Sequence, residues 1–262
     1  MTVLVRAPET IHRTDGGWFS ARWHFSFDDY IDPEQMGFGP LRVFNDDRLA
    51  PGAVWPLHPH RDIEGITWVV EGTFEHEDSM GNGGTLLPGS LQRATLGSGM
   101  YHSERNGSKT DPMRFLQFWL LPDTASLPPS VEQKTFPVAD RTDRLLRVAG
   151  PAADDPVKIH QDASVHVALL SPGTEVRHML GPGRGAYVYR IRGEGGFDSM
   201  PAEEGAAARV WDQPDVRISA AEPSEILLVD VPLEWTPVGV WAGRETSGGW
   251  RRGAPPPTSV SG

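Results

Sequence analysis

The chain has 262 residues, of which 29 are glycine and 24 are proline, with a formal net charge of −11 and no cysteine. The lack of cysteine excludes disulfides, thiolate metal sites and cysteine nucleophiles, and the acidic charge argues against direct binding to nucleic acid through its phosphates. Glycine and proline dispersed between short apolar runs predict many turns and an all-β fold.

The first fifty residues are predicted to be extended. Residues 18–27 mix aromatic and polar side chains in partial alternation, which favours a half-buried strand. Residues 41–45 form a second predicted strand, which we expect to end at Asp46 and Asp47. No apolar run reaches the length of a signal-peptide core or of the roughly 20 residues that span a membrane. We therefore expect a cytoplasmic protein with no membrane partner.

Residues 51–106 contain two short pairs of polar residues. His58 and His60 are separated by one residue, and so are His102 and Glu104. On a β-strand, residues two apart point to the same face, so each pair can face one point. Polar side chains that face the interior of a small barrel carry a desolvation cost unless a ligand binds them. The pattern predicts a metal site with three nitrogen ligands and one oxygen ligand.

The ligand types narrow the choice of metal. Imidazole suits Zn, Cu, Fe and Ni, while a carboxylate oxygen shifts the preference towards iron or manganese. Four protein ligands leave two positions of an octahedral ion open, which favours chemistry over a structural role. One divalent ion is predicted, with Fe(II) favoured and Mn, Cu, Ni or Zn as alternatives.

The rest of the chain repeats the same plan. Strands are predicted at 66–70, 91–96 and 114–120, with a hairpin across 81–84. We predict a crossing segment without periodicity at 122–137 and a turn of helix near 139–144. Further strands at 165–170, 186–192 and 226–231 follow turns of the same order as in the first half, which predicts a duplicated β-barrel.

The remaining histidines are given structural interpretations. His76 lies among acidic residues and is predicted to be on a solvated face, and His24 is predicted to be packed or hydrogen-bonded. His160, His166 and His178 are too dispersed in the sequence to predict a site. The second half is therefore expected to be metal-free.

Two spaced motifs resemble those of the cupin superfamily, and several short segments are similar to the pirin family within it. The cupin-like residues are Gly52-x5-His58-x-His60-x3-Glu64-x7-Gly72 and Gly89-x5-Thr95-x-Gly97, followed by His102-x3-Asn106. The pirin-like segments are HFSF at 24–27, LRVFNDD at 41–47, HPHRD at 58–62, DSMGN at 78–82 and HSERN at 102–106.

The resemblance implies an all-β bicupin of two jelly-roll β-barrels. It divides the chain into an N-terminal metal-binding cupin domain (1–135), a degenerate C-terminal cupin domain (136–245) and a flexible tail (246–262). It places the ligands at His58, His60, His102 and Glu104, with Glu104 rather than Glu64 as the ligand carboxylate.

The resemblance also implies a function. A pirin-type dioxygenase would cleave a flavonol-like phenolic substrate such as quercetin with O2 and release carbon monoxide, with Glu104 as the general base. The alternatives are a non-enzymatic, redox-sensing regulator that binds a protein partner, and a structural bicupin that needs no metal. A monomer is expected.

Overall fold

The computed structural model describes residues 2–244 and is built almost entirely of β-strands. The predicted tail at 246–262 lies outside the described residues. In the first half the strands are β1 (Thr2–Arg6), β2 (His12–Asp15), β3 (Phe19–Trp23), β4 (Leu41–Leu49), β5 (Val54–His60), β6 (Glu64–Glu71), β7 (Phe74–Asp78), β8 (Gly83–Leu86), β9 (Ser90–Thr95), β10 (Met100–Asn106), β11 (Met113–Leu120) and β12 (Ser130–Thr135).

The second half begins with a single turn of α-helix. This is α1 (Val138–Arg141), and the strands that follow are β13 (Leu146–Ala149), β14 (Ser164–Leu170), β15 (Glu175–Met179), β16 (Arg184–Arg192), β17 (Gly195–Phe197), β18 (Met200–Ala202), β19 (Ala207–Trp211), β20 (Asp215–Ala220) and β21 (Ser224–Pro232). Short 3-10 turns lie at Pro8–Thr10 and Gly239–Trp241. None of the helices within residues 2–244 has the length and apolar character that a membrane span needs.

Each half pairs one large and one small antiparallel sheet. The first half combines a seven-stranded sheet, ordered β12-β9-β6-β11-β4-β3-β2, with a four-stranded sheet, ordered β5-β10-β7-β8. Buried residues alternate with more exposed ones along β10, so Met100, His102, Glu104 and Asn106 face the interior. This period of two carries polar side chains inwards from one strand.

The second half has a six-stranded sheet, β1-β19-β16-β21-β14-β13, and a four-stranded sheet, β15-β20-β17-β18. The all-β, two-jelly-roll cupin fold is confirmed. The first strand of the chain, Thr2–Arg6, pairs with β19 and so belongs to a sheet of the second half. The proposed domain boundaries near 135 and 245 stay predictions.

One hydrophobic cluster runs through both halves. It contains Phe44 and Phe118 from the first half and Tyr187 and Leu227 from the second, all of them fully buried. The aromatic rings of Phe44 and Tyr187 lie 5.2 Å apart. Burying this much aromatic surface stabilises the contact between the halves.

A buried ion pair lies within that contact and corrects one expectation. Strand β4 does not end at Asp46 and Asp47 but continues to Leu49. The Arg114 guanidinium donates to both carboxylate oxygens of Asp46, at 2.9 and 2.7 Å, and the Tyr189 hydroxyl donates to the same carboxylate at 2.5 Å. Aspartate is tolerated inside the strand because these partners offset the cost of burying its charge.

The segment at 122–137 also differs from expectation. Residues 130–135 form strand β12, which pairs with β9 from Ser130↔Thr95 to Thr135↔Ser90. This strand is half-buried and polar, so its sequence carries little hydrophobic alternation. The predicted turn of helix is confirmed at Val138–Arg141.

Candidate metal centre

Two neighbouring strands bring three histidine side chains together. In the antiparallel pairing of β10 with β5, His102 lies opposite His58, and Met100 lies opposite His60. The register shifts between His102 and Glu104, which marks a β-bulge. Ligand atoms of His58, His60 and His102 all lie within 4.8 Å of one another. The structure thus brings three of the four predicted ligand residues together.

Hydrogen bonding leaves imidazole nitrogens available for a ligand. His58 Nδ1 lies 2.7 Å from the Pro56 carbonyl oxygen, which can only accept, so Nδ1 carries the proton and Nε2 is free. Both ring nitrogens of His102 are buried, and neither has a hydrogen-bond partner among the described residues. A buried polar group without a partner is costly, so the site is arranged for something that binds these nitrogens.

The electrostatic environment keeps the imidazoles neutral. Burial, together with the nearby His58, His60 and His76, lowers the pKa of His102 to about 2. Burial and the nearby His58 lower the pKa of His60 to about 4. Neutral imidazole is the form that binds a metal ion, so the three residues fit a divalent cation at pH 7.

Glu104, the fourth predicted ligand, is buried and lies beside His102, outside the group of three imidazoles. Its Oε1 lies 3.9 Å from His102 Nδ1 and accepts a hydrogen bond from the Gln117 amide at 2.5 Å. Burial raises the pKa of Glu104 to about 7, although the Gln117 hydrogen bond opposes that rise. A carboxyl group with a pKa near neutrality can exchange a proton at working pH.

The centre opens into a small cavity of about 60 Å³. Its lining combines ligand candidates, other polar side chains and aromatic rings: Phe27, Asn45, Asp47, Trp55, His58, His60, Glu104, Phe115 and Gln117. Asp47 is a second carboxyl group in this lining, and burial, with Asp46 and Glu104 nearby, raises its pKa well above the usual value. Trp55 borders this cavity, whereas Trp68 and Phe118 are buried in the core.

His76 is not on a solvated face, and that prediction was wrong. It is 1% exposed, lies opposite Glu104 in the pairing of β10 with β7, and has its ring centroid 5.6 Å from that of His102. Neither ring nitrogen has a partner among the described residues. Its acidic neighbours Glu75 and Glu77 suggested exposure, but alternation from the buried Phe74 would have placed it inside.

The second half brings two histidines together that looked dispersed in the sequence. The rings of His166 and His178 have centroids 4.6 Å apart, and His178 Nε2 lies 2.7 Å from Asp230 Oδ2. Arg184 donates to the other Asp230 oxygen at 2.6 Å. Over residues 2–244, the three-histidine group of the first half is the one that meets the geometry of a metal cluster.

Two other predicted residues have structural partners. His24 is buried, with its Nδ1 2.7 Å from the Tyr187 hydroxyl, which confirms its interpretation as a packed residue. Glu64 is fully buried, and its Oε1 lies at hydrogen-bond distance, 2.7 Å, from Nδ1 of His160 in the second half. The same oxygen accepts a hydrogen bond from the Thr95 hydroxyl. The Glu64 carboxylate therefore has a structural role in the contact between the two halves.

Family comparisons agree with this architecture. The family described as pirin matches residues 5–120, and the family described as quercetinase C-terminal cupin domain matches residues 147–231. Quercetin 2,3-dioxygenase of Escherichia coli (strain K12) is 35% identical over 233 residues, which cover 88% of this chain and 99% of the relative. A pirin-like protein of Caulobacter vibrioides is 36% identical over 218 residues, covering 82% of this chain and 94% of the relative.

A solved structure shows the same fold with a metal bound. The bacterial pirin YhhW from Escherichia coli, in complex with nickel(II), superposes with a TM-score of 0.83 at 32% identity. The match covers 90% of this chain and all of that chain. Together with the three-histidine cluster, this relative supports a metal-dependent cupin.

Proposed function

The chain belongs to the pirin family, and on that premise we propose that it is a metal-dependent dioxygenase that cleaves flavonols such as quercetin. We propose that His58, His60, His102 and Glu104 bind one divalent ion, with Fe(II) as first choice and Mn, Cu, Ni or Zn as alternatives. The observation that carries the proposal is the convergence of three neutral imidazoles beside a buried carboxyl whose pKa is about 7. The bound ion would supply a Lewis acid that polarises the substrate hydroxyl and a site for oxygen.

The protein side chains have separable roles in this reaction. Glu104, released from the ion or lying beside it, takes the proton of the flavonol 3-hydroxyl as general base. Its burial, which raises its pKa to about 7 in the metal-free protein, favours this role. Gln117 holds the receiving carboxylate through its amide hydrogen bond. Trp55 and Phe27 form apolar walls that orient the ring system and restrict water.

The overall conversion is balanced without a further reductant. The substrate donates the electrons, both atoms of O2 remain in the ester product, and the carbon that carried the hydroxyl leaves as carbon monoxide. Quercetin stands for a class of phenolic substrates that share an acidic hydroxyl beside a carbonyl. We further propose that the protein works as a monomer in the cytoplasm.

An aerobic quercetin assay tests the proposal. Metal-free protein is loaded separately with Fe, Mn, Cu, Ni and Zn, and loss of quercetin absorbance is followed together with carbon monoxide release. Turnover is expected in the wild type and in His166→Ala, whose histidine lies in the second half, and not in His58→Ala. Tight metal binding without turnover on any ion would reject the enzyme and favour the redox-sensing, partner-binding alternative.

A further inference from the structure

A second cavity, of about 310 Å³, adjoins the metal centre. We propose that it binds the outer ring of an aromatic substrate that carries an acidic oxygen, and that Trp241 and Arg42 determine this specificity. The inference deepens the proposed function and rests on it for the identity of the reacting group. It adds a second binding region, built partly by the C-terminal segment.

The two cavities share one wall. Phe27 lines both of them. Trp119 lines the larger cavity, its ring centroid is 4.7 Å from that of His60, and it meets Phe27 edge-on at 5.5 Å. In the proposed binding mode, a ligand whose reacting end reaches His60 extends along Trp119 into the larger cavity.

The sizes of the cavities require such a second region. The cavity at the metal centre, about 60 Å³, has room for the reacting end of a flavonol but not for the whole molecule. Pockets for ligands of this size are roughly 300 Å³ or larger. The neighbouring cavity supplies that volume, and its aromatic walls suit a planar ring.

The chemistry of the lining points to an acidic oxygen on that ring. The guanidinium groups of Arg42 and Arg244 lie 5.8 and 5.7 Å from the centroid of Trp241. Within residues 2–244 Arg42 has no carboxylate partner, and its Nη1 donates to the Ser26 carbonyl at 2.7 Å. The Arg42 Nε and Trp241 Nε1 atoms are buried and have no hydrogen-bond partner among these residues. Asp28 is the acidic residue in the lining, at an exposed turn. The Arg42 guanidinium in the lining, with Arg244 beside the same Trp241 ring, favours a phenolate or carboxylate oxygen on the ligand.

The position of Trp241 is anchored to the loop after the metal-binding strand. Asp62, two residues beyond His60, is 2% exposed, and its Oδ2 accepts the backbone N–H of Val240 at 3.1 Å. Gly239 has φ of +58°, and a Cβ there would lie 2.1 Å from the same oxygen, so the turn admits only glycine. The matched family region ends at residue 231. The segment that carries Trp241 lies beyond that region and is held against the cavity by the Asp62 contact.

Binding to metal-free protein tests the inference without depending on turnover. Quercetin and flavone, which has the same ring system without hydroxyl groups, are titrated under nitrogen by calorimetry. Trp241→Ala should weaken quercetin binding about tenfold, the effect of losing one aromatic contact and one donor. Arg42→Gln should weaken quercetin binding but leave flavone within about twofold. Val240→Ala, a neighbour outside the lining, is the control and should match the wild type.

The outcomes separate this inference from the proposed function. Quercetin binding within twofold of wild type in both Trp241→Ala and Arg42→Gln would overturn the inference, even if quercetin is turned over normally. Weakened binding in these variants would support it, even if no metal gives turnover by the wild type. If Trp241→Ala does not fold, Trp241→Leu, which keeps the apolar bulk and removes the donor, is used with the same criteria.

Discussion

Replacing Glu104 with glutamine should abolish turnover and at the same time make the metal-free protein more stable at alkaline pH. The substitution keeps the size of the side chain and its contact with the Gln117 amide, through a carbonyl oxygen in place of a carboxylate oxygen. It removes the group that accepts the substrate proton. Loss of a general base costs about 10²–10⁴ in rate.

The stability effect follows from the pKa of Glu104, which is raised from 4.5 to about 7 in the folded protein. Between these values the folded state holds a proton that the unfolded chain has released, so the stability of the wild type falls as pH rises through that window. Over the whole window the loss is on the order of 3 kcal/mol. Glutamine has no such loss, so the variant should gain about that amount relative to wild type between pH 5 and pH 8.

Urea unfolding of the metal-free proteins at pH 5 and pH 8 measures this difference, and the quercetin assay measures turnover. Glu75→Gln is the matched control, because Glu75 lies on the neighbouring strand and pairs with the exposed Arg105. Such a surface pair contributes less than about 1 kcal/mol. A stability difference between wild type and Glu104→Gln that does not change with pH would refute the reasoning about burial of the charge.

Two further changes test the fold. Asp46→Asn should cost about 3–5 kcal/mol in the free energy of unfolding, because it leaves the buried Arg114 without its carboxylate, and a loss under 1 kcal/mol would contradict the assigned role of the pair. Burial and the nearby Arg6 hold the pKa of His24 well below 6.5, so below that pH only the unfolded chain takes up the proton and the wild type loses stability as the pH falls. His24→Gln has no such loss, so its stability relative to wild type should increase by about 1.4 kcal/mol for each pH unit below 6.5. Urea titrations at pH 7, 6 and 5 measure both effects, and a pH-independent difference for His24→Gln would be contrary to the second.

The strands that could be predicted are those with hydrophobic alternation and clear turns at both ends. Residues 66–70 lie within the buried strand β6, and the hairpin across 81–84 is present as β7 and β8. Strand β12 could not be predicted, because its residues are polar and its pairing with β9 is a tertiary contact. The placement of β1 on the second half's sheet is also set by long-range pairing.

The three imidazoles could be predicted because the His-x-His spacing and strand geometry are local properties. His76 was misjudged because charged neighbours were given more weight than alternation from Phe74. The proximity of His166 and His178 depends on the packing of the two sheets that contain β14 and β15, which no local pattern records. The position of Trp241 depends on contacts between residues far apart in the sequence, including the hydrogen bond from Val240 to Asp62 and packing against the cluster that contains Ile63.

Metal stoichiometry tests the central claim most directly. Metal-free protein is incubated anaerobically with excess Fe(II), desalted and analysed for bound iron, with circular dichroism to confirm folding. We predict one ion per chain in the wild type and in His166→Ala, and almost none in His102→Ala, because His102 is the buried member of the three-histidine group. Retention of a full ion in His102→Ala, or its loss in His166→Ala, would contradict the assignment of the metal centre to the first half.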